Sequence, residues 1–240
     1  MSIYNNMSIY KYLDWELSKF PKNNKKSLLD LGCGSLPYKP IYKERFSINI
    51  AGDYDIRGAI DVRLDAINLP FPDNSFDVVI FSEVIEHIPN PEAAVIEISR
   101  VLKNGGVLLI TWPFNYMMHE VPFNYFNITE FGMQHMAKNT GMSIEHIFRR
   151  GGVIIVLTAL IEFLIFGFFE ALCRVPILGP MFLPIKKYLV AVPFFIFYKV
   201  FLYFHFKVNT QKIEPGDGLK GIRGQMELWN IGYCARIRKL

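Results

Sequence analysis

The stretch Leu28–Pro40, LLDLGCGSLPYKP, constrains this chain more than any other part of it. Ser27, Leu28, Leu29 and Leu31 surround Asp30, and Gly32, Cys33 and Gly34 follow at once. The pattern predicts a short buried strand that runs into a glycine turn, with an acid at the strand's end. Glycine at both turn positions lets backbone N–H groups approach a ligand with no Cβ in the way. The acid can accept hydrogen bonds from a cationic or hydroxylated ligand group.

The segments around this turn alternate in type. Ser8 to Phe20 carries Ile9, Tyr12, Leu13 and Leu17 at helical spacing, and 21–26 reads as a polar, basic linker. Ser27–Leu31 is the first strand, followed by a helix or helical turn at Tyr38–Arg45 and a second strand at Ser47–Ala51 leading into Gly52, Asp53, Tyr54 and Asp55. A short third strand is expected at Ile60–Leu64. Phe76–Ser82, FDVVIFS, is a continuous apolar run of the kind buried on both faces in a parallel sheet. Asn90 with Pro91 and Glu92 marks a helix start, and that helix is expected to end near Lys103–Asn104, before Gly105–Gly106. Gly106–Trp112 reads as a further buried strand, Thr129 as the cap of a helix ending near Gly141, Ser143–Arg149 as a strand, and Glu227–Arg238 as the closing strand. This alternation predicts a parallel sheet wound on both faces.

Composition narrows the class. A chain of 240 residues suits one domain with an embellishment, or two small domains. The net charge of +4 is mild, and no lysine cluster forms the dense, aromatic-interleaved stripe of a nucleic-acid binder. The three cysteines, Cys33, Cys173 and Cys234, lack paired spacing, which argues against a disulfide framework or a zinc site and for a reducing compartment. The first twenty residues lack a basic segment followed by an apolar core, so the expected address is cytoplasmic.

The loop at Leu28–Pro40, followed in order by D-x-x-x-LPF from Asp65, FDVV, the EVIEHI turn and RVLKNGG, resembles the Rossmann-like S-adenosylmethionine-dependent methyltransferases of small-molecule, lipid and surface-polysaccharide type. The resemblance covers about 27–150 and implies a doubly wound, mostly parallel seven-stranded α/β sheet with S-adenosylmethionine as cofactor. It places Asp30, Gly32 and Gly34 beside the methionine end of the cofactor. It gives the ribose hydroxyls to Asp55, or to Asp53 two residues earlier, and the adenine edge to Asp65 and Ala66. Ser82, Glu83 and Val84 border the sulfonium. Leu36 stands where many members have a third loop glycine, and no Asn-Pro-Pro-Tyr or Asp-Pro-Pro-Tyr follows the fourth strand, which argues against a nucleobase or glutamine-amide acceptor.

If the acceptor is a hydroxyl, a general base is expected within hydrogen-bond reach. His119, with Pro122, Tyr125 and Thr129, resembles the loop of methyltransferases encoded among cell-surface polysaccharide and lipid genes, and is the candidate base; the alternative is a loop histidine that caps or packs. His87 reads as a structural turn residue, His135 and His146 as surface or packing residues, and His205 as interfacial.

Between 151 and 207 the regularity breaks. Val153–Phe169 and Leu189–Phe206 are apolar runs close to the roughly 20 residues that a spanning helix needs. This hydrophobic helical insertion before the last strand, followed by a polar loop at 208–225, is expected to associate with the membrane surface in a peripheral or monotopic manner. A spanning hairpin, a homodimer interface, a wall for a lipid-linked substrate and a helical cap on the sheet are the alternatives. The expected activity is O-methylation of a lipid-linked or surface-glycan intermediate, with a quinone or other lipid-soluble acceptor as the alternative, or a cofactor-binding, membrane-associated protein without turnover.

Overall fold

The computed structural model describes residues 3–55, 59–150 and 232–240, with Leu164, Phe168 and Ala171. Seven strands form one sheet in the order β3-β2-β1-β4-β5-β7-β6. They are β1 (Asn24–Leu31), β2 (Phe46–Asp53), β3 (Val62–Arg63), β4 (Phe76–Ser82), β5 (Leu102–Pro113), β6 (Met142–Arg150) and β7 (Gly232–Lys239). β1 pairs in parallel with both β2 and β4, and β4 with β5, whereas β7 runs antiparallel between β5 and β6. The expected doubly wound, mostly parallel seven-stranded sheet is therefore present. The insertion expected at 151–207 and the loop at 208–225 lie outside the described residues.

Alternation along the strands divides the core in two. Leu29, Leu31, Val79, Phe81, Leu108 and Ile110 face one way, onto α3 (Pro91–Val101) and α4 (Glu130–Asn139) through Val95, Ile98 and Met133. Leu28, Val78, Ile80, Val107 and Leu109 face the other way, onto α1 (Ile3–Ser18) and α2 (Lys39–Tyr42) through Ile9, Leu13, Leu17 and Tyr42. A side-chain period of two sends neighbours such as Val78 and Val79 to opposite faces, so a strand covered on both sides must be apolar throughout. Asn90 Oδ1 accepts from the Ala93 N–H 3.2 Å away and Thr129 Oγ1 from the Gly132 N–H at 3.0 Å, starting α3 and α4 where their caps are expected.

Several boundaries differ from expectation, among them the start of β1 at Asn24, inside the stretch expected as a linker. α1 begins at Ile3, ahead of Ser8. α3 ends at Val101, because Leu102 already pairs with Phe76 as the first residue of β5. The pair Gly105–Gly106 then forms an irregularity within that strand, with Gly105 at φ +74°, and does not stop the helix. His146, expected as a surface or packing residue, is buried, and its Nε2 lies 2.7 Å from Glu16 Oε1. Arg236 donates to the other oxygen of the same carboxylate at 2.8 Å, tying α1 to β6 and β7. Burial alone would raise the Glu16 pKa, but the bonds from His146 and Lys19 hold it below its ordinary value. No helix among the described residues is long and apolar enough to cross a membrane.

Candidate functional site

The strand order reverses between β1 and β4, since β1 leads outward to β2 and β3 while β4 and β5 continue on its other side. Connections leave the carboxyl ends of these two strands in opposite directions and open a crevice there, the usual ligand position in open α/β sheets. Asp30, Gly32, Gly34, Asp53, Asp55 and Glu83, expected to hold a cofactor, lie at or just past the carboxyl ends of β1, β2 and β4.

Asp30 lies one residue before the end of β1 and is 1% exposed. Its Oδ2 has no hydrogen-bond partner among the described residues. Burial raises its pKa from the ordinary 3.8 to about 7, the adjacent Tyr42 phenol partly offsetting that rise and the Asp53 carboxylate adding to it. A carboxylate in this state is waiting for a donor or a positive charge.

The turn that follows has glycine for two different reasons. Gly32 sits at φ +72°, and a Cβ there would meet Val84 Cγ2 at 2.3 Å, so its smallness is used by the protein itself. Gly34, at φ +52°, faces nothing among the described residues within 4 Å of where a Cβ would be. Open space above a left-handed glycine beside an orphaned acid fits a ligand that approaches the backbone. Leu36 occupies the third-glycine position yet still adopts φ +63°, a conformation that costs a non-glycine residue about 1 kcal/mol or more. Tyr38 next to it accepts a hydrogen bond from Ser82 Oγ at 3.3 Å, which docks the loop on the end of β4.

The two candidate ribose acids separate. Asp53 ends β2, and its Oδ2 accepts from the Gly34 N–H at 2.7 Å and its Oδ1 from the Asp55 N–H at 3.0 Å. Asp55 is exposed two residues beyond the strand. Asp53 thus touches the glycine turn directly and Asp55 supports it by a backbone bond. Asp65 is exposed and its Oδ1 caps the Ile67 N–H at 3.1 Å, whereas Ala66 packs into the core.

Glu83 follows β4 at φ +54°, another left-handed position for a non-glycine residue. Its N–H donates to the Thr111 carbonyl at 2.9 Å. Its Oε1 accepts from Thr111 Oγ1 at 2.9 Å and from the Arg150 guanidinium at 2.7 Å. Such strain persists only where surrounding contacts over-determine it, and it tends to occur at functional positions. Thr111 and Arg150 thus join the candidate site through links to Glu83 that span 28 and 67 positions, and Arg150, expected with Arg149 at membrane headgroups, is instead buried in this ion pair while Arg149 pairs with Glu130.

Beyond Glu83 the chain makes a single 3₁₀ turn, Ile85–His87. The loop 114–127 folds back onto it: the Glu86 carbonyl accepts from the Tyr125 N–H at 2.8 Å, and His87 Nδ1 bonds the Phe123 carbonyl at 2.8 Å. That contact brings His119 beside His87, with ring centroids 4.9 Å apart and edge to face. His119 Nδ1 lies 3.2 Å from the Met117 carbonyl, and its Nε2 is buried without a hydrogen-bond partner among the described residues. The same loop leaves Met117, Met118, Val121 and Phe123 exposed, Met118 by 74%.

Comparison with known proteins agrees with this geometry. The family model described as a methyltransferase domain matches residues 29–110. The chain is 35% identical over 97 residues to a sterol 24-C-methyltransferase of Gibberella zeae, covering 33% of this chain and 26% of that protein. It is 30% identical over 116 residues to the 2-methyl-6-phytyl-1,4-hydroquinone methyltransferase of a Synechocystis strain, covering 41% and 36%. The chain spans less than half the length of these curated relatives. Among solved structures, the YcgJ protein of Bacillus subtilis aligns with a TM-score of 0.51 at 13% identity, over 97% of this chain and 96% of that one. The cyclase SpnF aligns with a TM-score of 0.54 at 16% identity, over 95% and 80%. At such identities the likeness is one of fold.

Proposed function

This chain carries a Rossmann-like, S-adenosylmethionine-dependent methyltransferase domain, and we propose that it transfers a methyl group to a hydroxyl of an apolar, lipid-linked acceptor. The observation that carries the cofactor assignment is the buried, unpartnered Asp30 oxygen beside the open face of Gly34. Asp30, Gly32 and Gly34 would hold the methionine end. Asp53, already aligned by the turn it bonds, would take the ribose hydroxyls, with Asp55, Asp65 and Ala66 toward the nucleoside and Glu83 at the reacting end.

When bound, the cofactor supplies a methyl group on a sulfonium, which leaves as a neutral thioether while the acceptor oxygen's lone pair forms the new bond. Alignment accounts for much of the rate of such a displacement. The strained backbone at Glu83 and its anchoring to Arg150 and Thr111 keep the edge of β4 fixed for that purpose. On the acceptor side the basic atom is His119 Nε2. A carbonyl oxygen only accepts, so the bond to Met117 keeps the proton on Nδ1 and leaves Nε2 with its lone pair.

The exposed apolar side chains on the loop that carries His119 favour a hydrophobic acceptor over a sugar in free solution. The sterol and hydroquinone in the names of two relatives are acceptors of that character. The apolar runs between 151 and 207 support association with a membrane surface in the same reading.

Isothermal titration with S-adenosylmethionine tests the cofactor site. Wild-type protein should give a saturable heat that Gly34→Arg removes while circular dichroism stays unchanged. Heat retained in a folded Gly34→Arg variant rules the site out. A radiolabelled methyl donor with membrane extracts should then label a lipid-soluble product.

A further inference from the structure

We propose that Glu86, His87 and His119 form a binding site for one divalent transition-metal ion at the acceptor side of the cofactor edge. Each offers one ligand atom, and the three atoms lie within 4.8 Å of one another. Glu86 Oε1 is 3.6 Å from His87 Nε2 and 3.8 Å from His119 Nε2. Bonds of about 2.0–2.2 Å at tetrahedral angles put ligand atoms about 3.3–3.6 Å apart. The two distances from Glu86 are thus within a few tenths of an ångström of that range, and the two histidine nitrogens lie within 4.8 Å of each other.

The hydrogen-bond chemistry of the cluster asks for a cation. Glu86 is 1% exposed, and neither of its carboxylate oxygens has a hydrogen-bond partner among the described residues. Leaving such a group unsatisfied is expensive. The two imidazoles beside it do not donate to it in their neutral form. His87 Nδ1 bonds the Phe123 carbonyl and His119 Nδ1 the Met117 carbonyl, and an oxygen of that kind only accepts. Both rings thus carry their proton on Nδ1 and turn the lone pair of Nε2 toward the carboxylate. A carboxylate faced by two acceptor nitrogens is an acceptor-only cluster.

The same bonds match what metal-bound histidines do. A ligating histidine usually donates its other ring N–H to a carbonyl or carboxylate, which fixes its tautomer and aim. Here both second partners are backbone carbonyls of the loop 114–127, so the fold of that loop orients both rings. Two histidines and one carboxylate leave coordination positions open, the donor set of catalytic zinc and of non-haem iron(II) sites. The scarcity of cysteine excludes a thiolate site and has no bearing on this one.

For the role of the ion, the inference rests on the methyltransferase reading: the His119 Nε2 lone pair, which serves as the base in the ion-free chain, would bind the ion, and an acceptor hydroxyl at an open position would then lose its proton to water more readily. Binding of the ion does not rest on that reading. The whole chain, stripped with a chelator, should be titrated with Co²⁺ and with Zn²⁺ by calorimetry, with Co²⁺ also followed by visible absorption.

The expected result is one ion per chain, with affinity weakened at least about ten-fold in Glu86→Gln and in His119→Asn and unchanged in His135→Ala, whose ring sits on α4. His119→Asn lies on an exposed loop, so it serves as the second variant where Glu86→Gln perturbs folding. Absence of stoichiometric uptake, or uptake equal in all variants, overturns the site. Titration of the same samples with S-adenosylmethionine separates the two readings. Cofactor binding without ion uptake overturns only the cation site, and ion uptake without cofactor binding overturns only the cofactor site.

Discussion

Asp30 gives the most informative single perturbation, because its carboxylate is held where the fold opposes its charge. Its pKa lies at about 7 in the folded chain against an ordinary 3.8, and burial is the main cause. Between about pH 4 and pH 7 the unfolded chain therefore loses this proton while the folded chain keeps it. Stability contributed by the raised pKa is fully present below about pH 4 and declines until about pH 7, after which it is flat. At about 1.4 kcal/mol per pH unit over about three units, the decline amounts to about 4 kcal/mol, an upper figure because water entering the site relaxes part of it.

Asp30→Asn keeps the side-chain shape and removes the titration. Urea unfolding of both proteins should be measured from pH 4 to pH 8.5, and the difference between them followed. That difference cancels every other titrating group, and it should move in favour of the variant by up to about 4 kcal/mol as pH rises. The same variant should lose affinity for S-adenosylmethionine, so stability and binding would change in opposite directions. Two parallel pH curves, or a variant less stable than wild type at pH 8, would refute the argument that Asp30 is a buried acid kept for a ligand.

Two further substitutions separate the fold from the site. Gly32→Ala should destabilise the chain, because its Cβ would overlap Val84 and the φ of +72° is strained; Gly34→Ala meets no neighbour and should cost only about 1 kcal/mol while weakening cofactor binding. Chemical unfolding and titration calorimetry on the pair distinguish these outcomes, and equal destabilisation would contradict the geometry. Arg150→Met strips the charge partner from a buried Glu83, which costs about 3 kcal/mol and lowers the Tm by about 6–12 °C in a chain of this size; adding Glu83→Gln should recover part of that loss.

Legibility in the sequence followed how local each cause is. FDVVIFS matched β4 to the residue, since a strand buried on both faces must be apolar at every position. The caps Asn90 and Thr129 act within three residues, and both helix starts were readable. The end of α3 was not, because it is set by the pairing of Leu102 with Phe76, and a glycine pair in isolation resembles a helix stop. Asp30, Gly32 and Gly34 were visible because the turn is contiguous. That Asp53, and not Asp55, bonds the Gly34 N–H of the turn was not readable from two acids two residues apart. Arg150 and Glu86 stayed hidden for different reasons. Arg150 reaches Glu83 across the sheet, whereas Glu86 stands between Ile85 and Ile88 in EVIEHI, an acid with apolar neighbours whose burial was the available signal.

The antiparallel pairing of β6 with β7 has a consequence for how this domain can be varied. Arg150 and Gly232 face each other across the ladder, so the chain leaves and re-enters the sheet at one point. Closing the ends of an excursion is then accomplished by the sheet itself, and lengthening the excursion adds little entropic cost. The Arg150–Gly232 pair is thus a port at which an inserted segment can be exchanged with little penalty to the seven strands. Gly232 closes that port against the Arg150 guanidinium and the Trp112 carbonyl with no room for a Cβ, and Arg150 in turn grips Glu83. One arginine thereby links the anchorage of any such segment to the edge of the cofactor site.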